Sequence, residues 1–123
     1  MAVILTSFNQ SCEKIRNKAN NYEFINSYGS FQDYEKDKYA VQAVYEMRTL
    51  INKYFGKNKS MFDLKENYSK LFENHNEKES FSHIEQLLNK SSSYSMRNKF
   101  HEIIEFILDE TKTFNSDMKF TKL

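Results

Sequence analysis

The 123-residue chain contains only two glycines and no proline. These two residue types supply the tight turns on which β-hairpins, sandwiches and barrels depend. Helices joined by short polar loops need few of them. The sequence therefore predicts an all-α fold, and its length fits a single domain that spans residues 1–123.

Several other classes of protein are excluded by composition. Aromatic side chains make up 15% of the chain and the formal net charge is +1, which is not the pattern of a disordered protein. The single cysteine, Cys12, excludes a disulfide scaffold. No apolar run approaches the ~20 residues of a membrane span, and the start of the chain lacks the features of a secretory signal. We therefore expect a cytoplasmic protein with no membrane partner.

Apolar residues recur at helical spacing near the start of the chain. The stripe consists of Phe8, Cys12, Ile15, Ala19 and Tyr22. Its predicted helix follows the capping residue Ser7 and ends near Gly29, with Asn20 and Asn21 as an earlier candidate break. Residues 1–6 are predicted to form an N-terminal arm or the first turn of this helix.

The clearest core stripe lies in a second predicted helix, which begins at Ser30 and ends at Gly56. Its members, spaced by three and four residues, are Ala40, Ala43, Met47, Leu50 and Tyr54. The opposite face is also partly apolar. It is therefore predicted to be either core or an interface with a partner.

Three further helices complete a predicted bundle of about five helices around one core. Ser60 is predicted to cap the third, residues 73–79 to form a loop, and Ser80 to cap the fourth. Residues 91–93 separate the fourth helix from a fifth, and residues 115–123 are predicted to be a frayed tail. The stripe of the fifth helix consists of Met96, Phe100, Ile103, Ile104, Ile107, Leu108 and Phe114.

The sequence shows no spacing typical of a metal, cofactor or catalytic site. The three histidines and Cys12 do not form a pair that would place two ligands on one helix face. Cys12 belongs to the first core stripe, where a small apolar side chain is expected. Gly29 and Gly56 stand alone, which excludes a glycine-rich phosphate loop. We therefore predict a non-enzymatic protein that holds no metal and no cofactor.

One short segment resembles a catalytic motif. Arg97, Asn98 and His101 are similar to the Arg-Asn…His motif of the helical HEPN ribonucleases, although only three residues separate Arg from His and the family has a longer interval. The resemblance covers five residues. It implies RNA cleavage by a homodimer, because a second motif from a partner copy would be required.

Residues 48–70 are the strongest candidate for nucleic-acid binding. They contain six basic residues against two acidic ones, and aromatic residues lie among them. Lysine ammonium groups and stacking rings are the groups that bind single-stranded nucleic acid. The candidate residues are Lys53, Lys57, Lys59, Lys65 and Lys70.

A protein partner is the leading hypothesis. Tyr34, Tyr45 and Arg48 lie on the second face of the second helix, and Phe106 falls on the polar side of the last helix. Exposed Tyr, Phe and Arg are the residues that anchor protein interfaces. We therefore predict a protein-binding module of bacterial or phage origin that acts sterically, as an inhibitor, an immunity-type protein or a scaffold. The alternative is a helical subunit that contacts nucleic acid through residues 48–70.

Overall fold

The chain folds into a bundle of α-helices. In the computed structural model, residues 2–22, 35–68, 77–92 and 94–122 are described, and these ranges contain no strand. Their five helices are α1 (Ala2–Asn20), α2 (Lys38–Phe55), α3 (Met61–Tyr68), α4 (Glu77–Lys90) and α5 (Tyr94–Lys122). The predicted all-α, single-domain fold is therefore confirmed.

One hydrophobic core joins the five helices. α2 packs most extensively against α4, α1 packs against α5, and α1 also contacts α2. The core contains aromatic side chains from four different helices, namely Phe8, Phe55, Phe81 and Phe100. Since every helix contributes to the same apolar interior or packs against it, the bundle holds together by burial of apolar surface.

The predicted stripes form most of this interior, with differences in α2 and at two other positions. Tyr22 and Leu108 are only partly buried, and the side chain of Phe114 lies outside the described residues. Ala40, Ala43 and Met47 are fully buried as expected, but Leu50 and Tyr54 are only half-buried. At the C-terminal end of α2 the buried positions are instead Ile51 and Phe55. The core face of α2 is therefore turned by about one residue relative to the predicted stripe.

α1 begins earlier and ends earlier than a helix from Ser7 to Gly29 would. Residues 2–6 are the first turns of α1 rather than an arm, because Ile4 and Leu5 pack against the core. The helix ends at Asn20, at the predicted break, and the amide of Tyr22 donates to the carbonyl of Ala19 in the closing turn. Gly29, the other predicted end, lies outside the described residues.

α2 begins at Lys38, and not at the predicted position Ser30, because Asp37 interrupts the helical backbone. Asp37 has non-helical φ and ψ angles of −156° and 85°, and its Oδ1 accepts a hydrogen bond from the Ala40 amide at 3.0 Å. This is the geometry of an N-cap. Ser30 itself lies outside the described residues.

The Asp37 carboxylate also joins the start of α2 to the connection between α4 and α5. Its Oδ2 accepts hydrogen bonds from Ser91 Oγ at 2.7 Å and from the Ser92 amide at 3.1 Å. Ser91 is buried. One side chain therefore caps a helix and fixes a contact between segments more than fifty residues apart.

α3 begins as predicted. Ser60 Oγ accepts from the Asp63 amide at 3.2 Å, and Asp63 Oδ2 accepts from the Ser60 amide at 2.7 Å. This reciprocal pair is a capping box. It depends on residues three positions apart, which is why the sequence pattern was sufficient to predict it.

The last two helices extend beyond their predicted limits. α4 begins at Glu77 rather than Ser80. α5 continues to Lys122, so residues 115–122 are helical and not a frayed tail. This part of the sequence contains no glycine or proline that would end a helix.

We predict that Asp37→Asn lowers the free energy of unfolding by about 1–2 kcal/mol at neutral pH, because the amide loses an acceptor oxygen and the charge at the N-terminus. Burial alone would raise the pKa of Asp37, but hydrogen bonds from Ser91, Ala40 and Ser92 outweigh it and hold the pKa below its usual value.

A lowered pKa means that the carboxylate stabilises the fold above its unfolded pKa of ~4 and that this stabilisation disappears as the pH falls through the folded value. Urea denaturation followed by circular dichroism should therefore show wild type and Asp37→Asn converging in acid. A difference that stays constant to pH ~2 would contradict the assignment.

Candidate functional site

The C-terminal end of α2 is held by side chains from three elements. The carbonyls of its last three residues accept hydrogen bonds from Lys59 Nζ, Asn67 Nδ2 and Arg16 Nη1 at 2.8, 2.6 and 2.7 Å respectively. These carbonyls have no partner inside the helix. Two of the three donors are cations, which the negative end of the helix dipole favours.

Hydrogen bonds also fix the connection from α2 to α3. Asn9 of α1 makes two hydrogen bonds with the backbone of Lys59, accepting from its amide and donating to its carbonyl, each at 3.0 Å. Asn58 has a φ of 57°, a left-handed conformation that asparagine tolerates well. A side chain on Gly56 would place its Cβ 2.8 Å from the carbonyl oxygen of Asn52. The path of the chain at this point is therefore tightly defined.

This rigid segment, residues 53–65, carries an outward-facing set of side chains, and we refer to it as the α2–α3 corner. Phe62 is 72% exposed. Lys53, Lys57 and Lys65 are also exposed. Phe62 and Lys65 lie three positions apart in α3, which places them on neighbouring parts of the same helix surface.

The exposed surface continues along α2 to Tyr45. Tyr45 is 62% exposed, and Thr49 and Lys53 follow on the same exposed stripe at intervals of four residues. Tyr45 and Lys53 are therefore about 12 Å apart along the helix axis. We call this stripe together with the corner the α2–α3 face.

The charge that the corner presents to solvent is positive. Asp63 is engaged by the amide and the hydroxyl of Ser60, and these hydrogen bonds hold its pKa below its usual value. The ammonium of Lys59 is bound to a carbonyl of α2. Lys57 and Lys65 have no contact with a carboxylate within the part of the chain that the structure describes.

The structure describes three of the four residues predicted as protein-interface anchors. Tyr45 is exposed and Arg48 is half-buried on the same helix, whereas Tyr34 lies outside the described residues. Phe106 is half-buried and packs against the core. Tyr45 is therefore the most accessible of the predicted anchors whose positions are described.

Phe106 is covered by the end of α1, which the pattern of α5 alone did not indicate. The Lys18 ammonium lies 5.7 Å from the centre of the Phe106 ring and 5.9 Å from that of Tyr22. The Tyr22 hydroxyl donates to Glu102 Oε2 at 2.5 Å. This hydrogen bond, together with desolvation, raises the pKa of Tyr22 to about 12. The cluster joins α1 to α5.

The predicted nucleic-acid patch is smaller in the structure than in the sequence. Phe55 is 1% exposed, and Tyr54 is half-buried with the Lys53 ammonium 5.3 Å from its ring centre. Lys59 caps α2, and Lys70 lies outside the described residues. Of the aromatic side chains of this segment that the structure describes, Phe62 is the one that stands clear of the bundle.

The thiol of Cys12 is buried in the core as predicted. Desolvation raises its pKa to about 11, although Arg16 and Lys59 act in the opposite direction. The thiol is therefore protonated at neutral pH and is a poor nucleophile. His83 and His101 are exposed, and no cluster of three metal-binding side chains occurs among the described residues.

The segment that resembles the ribonuclease motif makes contacts within the fold. Arg97 Nη2 donates to the Ser91 carbonyl at 3.2 Å, and the guanidinium lies 4.7 Å from the centre of the Tyr94 ring. His101 follows one turn later and is exposed. Arg97 thus fixes the start of α5 against the preceding connection.

Comparisons with known proteins do not place the chain in a family. No family model matches it, and neither a curated protein nor a solved structure matches it. Among the described helices, none combines the length and the apolar character needed to cross a membrane.

We predict that Gly56→Ala lowers the free energy of unfolding by about 1–3 kcal/mol, because the new methyl group meets a backbone oxygen that cannot move without disturbing α2. Asn58→Gly is the matched control, since glycine accepts a left-handed φ, and should change stability by less than about 0.5 kcal/mol. Urea denaturation measures both, and equal effects of the two changes would contradict the close packing at Gly56.

We also predict that Phe62→Ala changes the free energy of unfolding by less than about 0.5 kcal/mol, because this ring contributes little to the core. Phe55→Ala should instead cost about 3–5 kcal/mol, because it leaves a cavity at the end of α2. The same denaturation experiment tests both variants. A large loss for Phe62→Ala would place its ring in a structural contact.

Proposed function

We propose that this chain is a small, non-enzymatic, α-helical protein-binding module that acts sterically on another protein, as an inhibitor of the immunity type or as a scaffold. One observation carries the proposal: Tyr45 and Phe62 expose 62% and 72% of their surface on the α2–α3 face, while the core is complete without them. Aromatic side chains in such positions are the typical anchors of protein interfaces.

The rigidity of the corner supports this proposal. Loss of conformational freedom opposes binding, and a surface that is already ordered loses less of it. Asn9 binds the backbone of Lys59, and Asn67 of α3 binds the carbonyl of Tyr54, through hydrogen bonds of 3.0 and 2.6 Å. The backbone that carries Phe62 is therefore held in place, and its exposed ring can fill a pocket and exclude other ligands from it.

The non-enzymatic part of the proposal is supported by the roles of the reactive groups. Cys12 is a buried, protonated thiol, and Arg97 is engaged by Ser91 and Tyr94. Each of these side chains stabilises the bundle. The free thiol also fits the reducing environment of the cytoplasm, where we place the protein.

Nucleic acid is the second candidate, and the geometry favours it less. Stacking of successive bases needs a row of accessible rings. Phe55 is buried and Tyr54 is partly covered, so Phe62 would have to act without either neighbour. The ammonium of Lys59 is bound to a carbonyl of α2 and is less available to a phosphate.

The test is affinity capture from the native host with the tagged full chain, comparing wild type with the double variant Tyr45→Ala/Phe62→Ala. We expect one stoichiometric protein partner with wild type and a loss of at least ~10-fold with the double variant, since aromatic anchors dominate binding free energy. Tyr94→Ala is the matched control, because Tyr94 is 73% exposed but lies at the start of α5.

Circular dichroism and urea denaturation should show that all of these proteins remain folded. A partner that is retained by the double variant, or lost equally with Tyr94→Ala, would contradict the assignment of the face. Nucleic acid that co-purifies and is released by salt would instead support the second candidate.

A further inference from the structure

We infer that the partner segment which docks on the α2–α3 corner is acidic, with an apolar side chain that contacts Phe62 and carboxylates that contact Lys53, Lys57 and Lys65. This inference rests on the proposed function and adds to it the chemistry of the partner. Its basis is the distribution of charge around one exposed ring.

Three exposed lysines belong to the corner, and each lies in a different part of it. Lys53 is in the last turn of α2, Lys57 is in the connection, and Lys65 is in α3 one turn after Phe62. Because Asn67 of α3 donates to the carbonyl of Tyr54, the end of α2 and the body of α3 are adjacent. The lysines are therefore carried by neighbouring backbone segments.

The nearby carboxylate of Asp63 does not balance this charge at the surface. It is turned back onto its own helix N-terminus, where it accepts from the amide and hydroxyl of Ser60 at 2.7 and 2.8 Å. A carboxylate held in this way neutralises the positive end of the helix dipole rather than a lysine. The corner is thus complementary to a negatively charged surface.

The corner fits an acidic protein segment better than a nucleic acid. A nucleic acid carries a continuous series of phosphates, and the ammonium of Lys59 is bound to a carbonyl of α2 and is less available to such a series. The exposed Phe62 matches one apolar side chain of a peptide, whereas base stacking uses several rings.

The experiment is an NMR titration of the 15N-labelled full chain with the synthetic peptide Glu-Glu-Glu-Leu-Phe-Glu-Glu-Glu at low salt. We expect saturable shifts of backbone amides centred on residues 57–65, and an affinity that falls as salt is added. The comparison ligands are the same peptide with Lys in place of each Glu and a short oligothymidylate. Each should bind with lower affinity than the acidic peptide.

Charge reversal locates the contact. Lys57→Glu/Lys65→Glu should weaken peptide binding by at least ~10-fold, since two attractive contacts become repulsive. The control Lys14→Glu/Lys112→Glu has the same change in net charge on exposed residues of α1 and α5, and should have a much smaller effect. Phe62→Ala should weaken binding without changing its salt dependence.

Three results would overturn the inference. They are equal losses of peptide affinity in the two charge-reversed variants, stronger binding of oligothymidylate than of the acidic peptide, and no saturable shift at low salt. Affinity capture with the same variants distinguishes failure of this inference from failure of the proposed function. A partner that is lost with Tyr45→Ala/Phe62→Ala but retained with Lys57→Glu/Lys65→Glu would leave the protein-binding function in place and remove the acidic chemistry.

Discussion

The capping of α2 by polar side chains at both ends is the constraint on which the rest of the bundle depends. A chain with two glycines and no proline has few of the residues that favour a left-handed helix end. It uses polar side chains instead, with Asp37 at the start of α2 and Arg16, Lys59 and Asn67 at its end. Since α2 contacts both α1 and α4, fixing its two ends also fixes the positions of its neighbours.

The two ends of α2 differ in the charge of the groups that cap them. At the start, the Asp37 carboxylate accepts from Ser91 and Ser92, and the lysines nearby, Lys38 and Lys90, lie 5.2 and 5.6 Å from the ring of Tyr39. A charge of each sign is present there. At the other end, two of the three capping groups are the cations Arg16 and Lys59, and the exposed lysines Lys57 and Lys65 flank Phe62 in the sequence.

The candidate surface adjoins a filled part of the core. Phe55 occupies the interior at the last turn of α2, and Phe62, which follows in α3, is exposed. Met61 packs against the core beside it. Asn9 satisfies the backbone polar atoms of Lys59 in the connection, and the exposed ring of Phe62 contributes little to the core. Binding is the task for which such groups are suited.

Local patterns in the sequence were sufficient to determine the all-α class, the apolar stripes of α1 and α5, and the Ser60–Asp63 capping box, because each depends on residues three or four positions apart. Tertiary structure decided that Asp37, the local N-cap of α2, also binds Ser91 across 54 positions, and that Lys18 covers Phe106. It also decided that Phe55 is buried and Phe62 exposed. The physical reason is that helical periodicity reports only which side chains share a face, whereas the neighbour that covers this face is brought to it by contacts between segments far apart in the chain.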